Sequence, residues 1–136
     1  MEEITEQDVK ALIEAIVAGA NEHIAEAVEA LGEEVFRNSL ALILVDTATQ
    51  YGFVVRAKRF RVIEEEELKD LNPTATIETT KDFFVEFLNS EDWNLKAIEG
   101  YNTYQVNVIS SDGRDYIHYR NLMGILRWLY DLISGG

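Results

Sequence analysis

The sequence has no cysteine and only one proline, and each shortage removes a class of structure or chemistry. Without cysteine, the 136-residue chain forms no disulfide, no zinc–thiolate site and no thiol nucleophile. This fits a reducing compartment, and we expect a cytoplasmic protein. The single proline and the 47% share of hydrophobic residues indicate a folded chain with a substantial core rather than a disordered one.

Long apolar runs are also missing. The longest, Leu40 to Val45, has six residues, whereas roughly 18 are needed to span a bilayer. The chain opens with Met1-Glu2-Glu3, the reverse of a basic signal-peptide start. We therefore expect neither a signal peptide nor an integral membrane segment.

Basic residues are few: 12 face 25 acidic residues, giving a net charge of -13. Nucleic-acid affinity depends largely on Lys and Arg at phosphates, so we expect no nucleic-acid partner. An anionic membrane surface would repel the chain for the same reason. The acidic charge is better explained by a role in solubility. The length of the chain is that of one domain, and we expect a single domain over residues 1–136.

The first element predicted is one helix over residues 5–31. Thr5 is a suitable cap, with Asp8 three residues later, and Gly32 is a natural stop. Apolar residues recur between them at steps of three and four. They are Val9, Leu12, Ile13, Ile16, Val17, Ala20, Ile24, Val28 and Leu31.

Residues 34–51 fit two patterns. At a period of two, they form a strand buried on both faces from Leu40 to Val45; at a period of 3.6, they form a helical stripe from Phe36 to Tyr51. The β-branched residues Ile43 and Val45 favour the strand from about Leu40. Periodicity alone leaves both readings open.

In the middle of the chain, the sequence pattern predicts two strands and a helix. Phe53 to Glu65 and Thr74 to Thr79 have strand composition, separated by a break at Asn72-Pro73. A helix then opens at Thr80 or at Lys81-Asp82. Its apolar side carries Phe83, Phe84, Phe87 and Leu88.

Towards the C-terminus we predict a loop at Trp93, a hairpin and a closing helix. The hairpin joins 103–110 to 114–119 through Asp112-Gly113, a favoured turn pair. The closing helix runs from Asn121 to Ile133. These elements predict an α+β fold, an antiparallel sheet covered by a long N-terminal helix, a middle helix and an apolar C-terminal helix.

Residues with catalytic chemistry are sparse. His23 and His118 are the two histidines, and neither sits in a recognisable motif. The run Glu64 to Glu67 reads as strand carboxylates on alternate faces, which do not converge on a metal ion. The segment Arg56 to Arg61 could hold an anion, but a charged edge strand is the favoured interpretation. We predict no catalytic residue, no metal and no cofactor. These observations favour a protein that is not an enzyme.

The closing helix is apolar on more than one side. Met123, Trp128 and Tyr130 lie off its main stripe of Leu122, Ile125, Leu126, Leu129 and Ile133. Such a helix lies beneath other elements, lines an apolar pocket or meets a partner. All three explanations stay open at this point.

Three segments resemble the sterol carrier protein 2 (SCP2-like) family of lipid-binding domains. Ala75 to Phe84 is similar to the family's passage from a strand into a helix, and Ala97 to Gly100 to the small-residue segment before its late strand. Asn121 to Ile133 corresponds to its closing helix. The resemblance implies a sheet and helices that enclose an apolar tunnel for acyl chains or sterols, without catalysis.

On this basis we expect a non-catalytic module with a cavity between sheet and closing helix for an acyl, sterol or isoprenoid ligand. The expected walls are Phe83, Phe87, Leu122, Ile125, Leu126 and Leu129. The alternative is an interaction protein that docks through its N- or C-terminal helix on a partner or on a second copy as a homodimer.

Overall fold

A computed structural model describes residues 5–47 and 50–134 of the chain. In these ranges the helices are α1 Glu6–Glu22, α2 Ile24–Leu31, a 3₁₀-helix Glu33–Phe36, α3 Glu65–Leu71, α4 Lys81–Asn89, α5 Trp93–Asn102 and α6 Asp115–Ile133. The strands are β1 Leu40–Leu44, β2 Tyr51–Arg56, β3 Arg59–Glu64, β4 Ala75–Thr79 and β5 Val106–Ser110.

The five strands form one sheet in the order β3-β2-β1-β4-β5. This confirms the predicted α+β class with helices over a sheet. The sheet is mixed rather than wholly antiparallel, because β4 pairs parallel to β1. After the β1–β2–β3 meander, the chain passes through α3 and returns to the free side of β1 in the same direction.

The central strand β1 is buried on both faces, which confirms the strand interpretation from Leu40. Leu40, Leu42 and Leu44 belong to the main core, beneath the large helices. Ala41 and Ile43 point to the opposite face, where they join a second, smaller apolar cluster that Leu71 packs against. Most of the apolar side chains therefore lie on one side of the sheet, with α1, α4, α5 and α6.

The N-terminal segment is helical, but it is two helices rather than one. The predicted cap is confirmed: the Thr5 hydroxyl accepts from the Asp8 N–H at 3.1 Å, and the Asp8 carboxylate accepts from the Thr5 N–H at 3.3 Å. His23 leaves helical geometry with φ -116° and ψ 28°. The apolar periodicity continues across His23, so the pattern did not reveal the interruption.

The predicted strand Phe53 to Glu65 is a hairpin. Ala57 and Lys58 both have positive φ, 52° and 63°, and turn β2 into β3. Neither residue is a usual turn former, so the turn was missed. The glutamate run was also misassigned: Glu64 ends β3, and α3 begins at Glu65.

This turn leads to a stability prediction. A non-glycine residue in the left-handed region costs roughly 1–2 kcal/mol, and asparagine tolerates it better than alanine. We expect Ala57→Asn to stabilise the protein by about 0.5–1 kcal/mol in urea unfolding. The same change at exposed, helical Ala11 should cost about 0.5 kcal/mol. Equal effects at both sites would contradict the turn geometry.

Beyond β4 the outcomes are mixed. The helix start at Thr80 is confirmed, since its hydroxyl accepts from the Phe83 N–H at 3.2 Å. The predicted Trp93 loop is instead the start of α5, and the predicted hairpin around Asp112-Gly113 is wrong. Only β5 is a strand, and residues 115–119 form the first turns of α6. The closing helix is therefore longer than Asn121 to Ile133.

Candidate functional site

The site is built around α6, which is buried along most of its length. Its buried residues are His118, Tyr119, Leu122, Met123, Ile125, Leu126 and Leu129. The Tyr119 hydroxyl donates to the Ala97 carbonyl at 2.7 Å, tying α6 to α5. Burial raises the pKa of this phenol, so it stays neutral and a donor. Helices α1, α2 and α5 also contact α6.

The structure places the six predicted wall residues in one apolar cluster. Phe83 and Phe87 come from α4, and the other four from α6. Each is at most 1% exposed, and all six belong to the main core. One of them, Ile125, also lines a groove on the outer side of α6.

That groove has a volume of about 300 Å³ and runs between α6, the start of α5 and the α2–3₁₀ segment. Its apolar lining comes from Leu31, Val35, Trp93, Ile125 and Trp128, with Gly124 between them. Both tryptophans of the chain are in this lining. A volume of this size lies at the low end of small-molecule pockets, which are about 300–1,000 Å³.

Trp93 separates the groove from the core. It is the first residue of α5, a helix capped by Asp92, whose carboxylate accepts from the Leu95 N–H at 3.1 Å. On its inner side the ring meets Phe87 edge-on, with centroids 6.2 Å apart. On its other side, the tip of the ring approaches Gly124, where an added Cβ would lie 3.6 Å away.

Charged residues stand at the edges of the groove. The Arg127 guanidinium pairs with Asp131 at 3.0 Å and also donates to the Ser90 carbonyl. This second bond fixes the α4–α5 connection against α6. Arg120 lines the groove as well and has no ion pair within residues 5–47 and 50–134.

The two histidines occupy different surroundings. His23 lies at the α1–α2 break, partly exposed, with Nδ1 3.0 Å from the Glu26 carboxylate. That hydrogen bond raises the pKa of His23. His118 is on α6 rather than on a strand, and it is 1% exposed. Its Nε2 lies 3.0 and 2.8 Å from the two Asp112 oxygens.

The basic segment Arg56 to Arg61 lies on the β2–β3 hairpin, away from α6. Arg56, Arg59 and Arg61 line an open depression beside α3. Arg61 pairs with Glu67, and Arg56 donates to the Leu71 carbonyl. Lys58 pairs instead with Glu33 of the 3₁₀-helix at 2.9 Å, so three of the four basic side chains contact neighbouring elements, as expected of a charged edge.

Sequence reasoning missed Trp93, Gly124, Leu31 and Val35 as groove residues. The available signal was Trp128, which lies off the main stripe of the closing helix. No cluster of potential metal ligands lies within the described ranges. No described helix combines the length and hydrophobicity that a membrane crossing requires.

No family model matches the chain, and no curated protein sequence matches it. Solved structures are similar to it. Sterol carrier protein 2 from Yarrowia lipolytica (apo form) aligns with a TM-score of 0.62 at 11% identity, over 92% of this chain and 94% of that one. A UbiJ-SCP2 ubiquinone synthesis protein gives 0.58 at 9% identity, over 93% and 96% of the two chains.

The sterol carrier protein domain 2 of Helicoverpa armigera gives a TM-score of 0.57 at 14% identity, over 96% of both chains. At such identities the likeness establishes the fold and nothing finer. The chain has the SCP2-like fold that its sequence resemblance predicted.

Proposed function

We propose that this chain is a non-catalytic binding module for a lipid-like ligand, such as an acyl chain, a sterol or an isoprenoid, held along α6. The observation that carries the proposal is the groove itself. Two tryptophans and three aliphatic side chains line it above a glycine in the middle of a helix. Exposed apolar surface of this kind usually marks a ligand or partner site. The similar structures named as sterol carrier proteins support the same reading.

In this proposal, the six expected wall residues form the part of the apolar core that lies behind the groove. Ile125 contacts both the groove and the core, and Phe87 supports the inner side of Trp93. The remaining four, Phe83, Leu122, Leu126 and Leu129, are fully packed.

The energetics favour an aliphatic ligand. Burying a methylene gives about 0.8 kcal/mol, so eight buried methylenes contribute about 6 kcal/mol. Lost translational and rotational freedom cancels a large part of this. Measurable binding therefore requires that an aliphatic chain fill most of the groove.

The absence of cysteine is typical of proteins in a reducing compartment, and we propose that the carrier is cytoplasmic.

The test uses an uncharged ligand and the protein's own fluorescence. Because both tryptophans line the groove, we expect a long-chain fatty alcohol to shift tryptophan emission in a saturable titration. Native mass spectrometry should then show one ligand per chain. Constant emission together with a bare mass in excess ligand would rule out the proposal.

The alternative is an interaction protein, and one observation favours it. Ile117, on the first turn of α6, is 56% exposed, and the neighbouring Tyr116 is 37% exposed. A second copy or another protein could cover them. The same native mass spectra discriminate the two functions, since assembly gives a concentration-dependent dimer mass without ligand.

A further inference from the structure

The groove along α6 adjoins a second cavity that is polar. This cavity has a volume of about 270 Å³ and shares Asn121 with the groove. Its lining comes from the 3₁₀-helix and the two residues after it, and from the start of α6. The residues are Glu34, Arg37, Asn38, Arg114, Ile117, His118 and Asn121.

Two arginines line this cavity, Arg37 and Arg114. Within the described part of the chain, neither Arg37 nor Arg114 makes an ion pair or a side-chain hydrogen bond. By contrast, Lys58, Arg61 and Arg127 each pair with a carboxylate. Glu34 also lines the cavity, and the nearby carboxylates of Glu33 and Asp112 interact electrostatically with Arg37 and Arg114.

A buried nitrogen in the same lining also lacks a partner. The hydrogen bond from His118 holds the pKa of Asp112 below its ordinary value, helped by the Arg114 backbone N–H. Asp112 is therefore an anionic acceptor, and the His118 Nε2 carries the hydrogen. The other ring nitrogen, Nδ1, is buried without a hydrogen-bond partner in the described structure. Leaving a buried polar atom unpaired is unfavourable, and because the hydrogen is on Nε2, Nδ1 needs a donor such as a ligand hydroxyl or a water.

We propose, building on the function proposed above, that this polar cavity binds the anionic headgroup of an amphiphilic ligand whose chain lies in the groove. The headgroup is a carboxylate or a phosphate. Arg37 and Arg114 present planar guanidinium groups suited to its oxygens. His118 Nδ1, as an acceptor, receives a hydrogen bond from a hydroxyl of the headgroup or from a water beside it. Asn121 marks the junction between headgroup and chain.

The experiment compares three ligands of equal chain length: a fatty acid, an alkyl phosphate and a fatty alcohol. Binding is read from tryptophan emission for the wild type and for the double variant Arg37→Gln/Arg114→Gln. Charged hydrogen bonds correspond to about ten- to hundredfold in affinity. We expect at least one anionic ligand to bind the wild type about tenfold or more tightly than the alcohol. The double variant should lose this preference and keep its affinity for the alcohol.

Arg59→Gln is the matched control, since Arg59 is equally unpaired but lines the depression beside α3. It removes a positive charge that does not line the cavity and should leave the preference unchanged. Equal loss in Arg59→Gln and in a single Arg37→Gln variant would show a general charge effect and overturn the proposal. So would an anionic preference that survives the double variant and disappears in Arg120→Gln. Which anionic ligand shows the preference identifies the headgroup class.

The outcomes separate this proposal from the function on which it rests. If no ligand binds, the lipid-binding proposal fails, and the headgroup site fails with it. If the alcohol binds as tightly as both anionic ligands, lipid binding stands and the headgroup site is wrong. Neither arginine makes an ion pair or a side-chain hydrogen bond within the described residues, so their replacement should leave the thermal midpoint within a few degrees of wild type.

Discussion

Replacing Gly52 with alanine is expected to destabilise the protein by about 3 kcal/mol or more. Gly52 lies on β2 opposite Ile43 of β1. A Cβ added there would lie 1.7 Å from the Leu42 carbonyl oxygen and 2.7 Å from its carbon. Both contacts are with backbone, so no side chain can rotate away. The strands would have to separate at β1, the centre of the sheet.

The measurement is urea and thermal unfolding of Gly52→Ala beside wild type. Small domains have about 5–15 kcal/mol of stability in total, so the loss is a large fraction of it. For a chain of this size we expect the midpoint to fall by roughly 10 °C or more. The same replacement at Gly124, on a helix, is the control and should not destabilise. Unchanged stability of Gly52→Ala would contradict the close approach of β1 and β2.

Local signals in the sequence were sufficient to predict several helices and strands. Thr5 and Thr80 each accept the N–H three residues on. The spacing of Thr5 and Asp8 predicted the first cap, and the second helix was predicted to start at Thr80 or at Lys81-Asp82. The β-branched residues near Leu40 identified a strand that periodicity left open. Apolar alternation failed at Ala57-Lys58, because the alternation runs through the turn and neither residue signals one.

The errors near the C-terminus have a different cause. Asp112 and Gly113 do form a turn, with Gly113 at φ 77°, but it leads from β5 into α6. The helical spacing of Tyr119, Leu122 and Leu126 extends the stripe of the closing helix back into the assumed second strand. Asp112 also caps the local backbone through the Arg114 N–H at 3.0 Å. Tertiary packing of α6 thus outweighed the hairpin preference of Asp-Gly.

Helix α5 was missed because its buried side is made of small residues. Ala97 and Gly100 face the core, and they leave little apolar periodicity to detect. Residue 100 has to be glycine, because an added Cβ would lie 2.3 Å from the Phe83 ring. A close contact of this kind depends on α4, which sequence spacing cannot place.

The sequence pointed to α6 but not to the groove, which lies on the outer side of that helix rather than between it and the sheet. The resemblance and the many-sided apolar character of the closing helix both directed attention to α6. The groove itself forms where Val35, Trp93 and Gly124 meet from three segments of the chain. No spacing within one segment encodes that meeting. The same holds for Arg37 and His118, which sequence reasoning left unconnected.

The prediction with the largest functional effect concerns Gly124. Glycine inside a helix costs about 0.5–1 kcal/mol relative to alanine, and Gly124 lies well inside α6. An added Cβ would meet the Trp93 ring at an ordinary contact distance of 3.6 Å. We therefore expect Gly124→Ala to stabilise the protein by about 0.5–1 kcal/mol and to preserve ligand binding.

Gly124→Leu should separate stability from binding. Leucine is also a good helix former, but its side chain extends beyond Cβ into the space between α6 and the start of α5 that we propose for the ligand. Loss of that space removes the burial of several methylenes at about 0.8 kcal/mol each, so affinity for a fatty alcohol should fall at least about tenfold. Tryptophan emission titrations and urea unfolding measure the two effects.

The matched control is Ala18→Leu, which adds a leucine at an exposed position on α1 outside the groove. It should bind the alcohol as wild type does, which separates filling of the groove from a general gain in surface hydrophobicity. If Gly124→Leu retains wild-type affinity while remaining folded, the ligand does not occupy the groove between Trp93 and Trp128. The exposed start of α6 at Ile117 would then be the surface to test for a protein partner, because it is the other apolar part of this helix that the fold leaves uncovered.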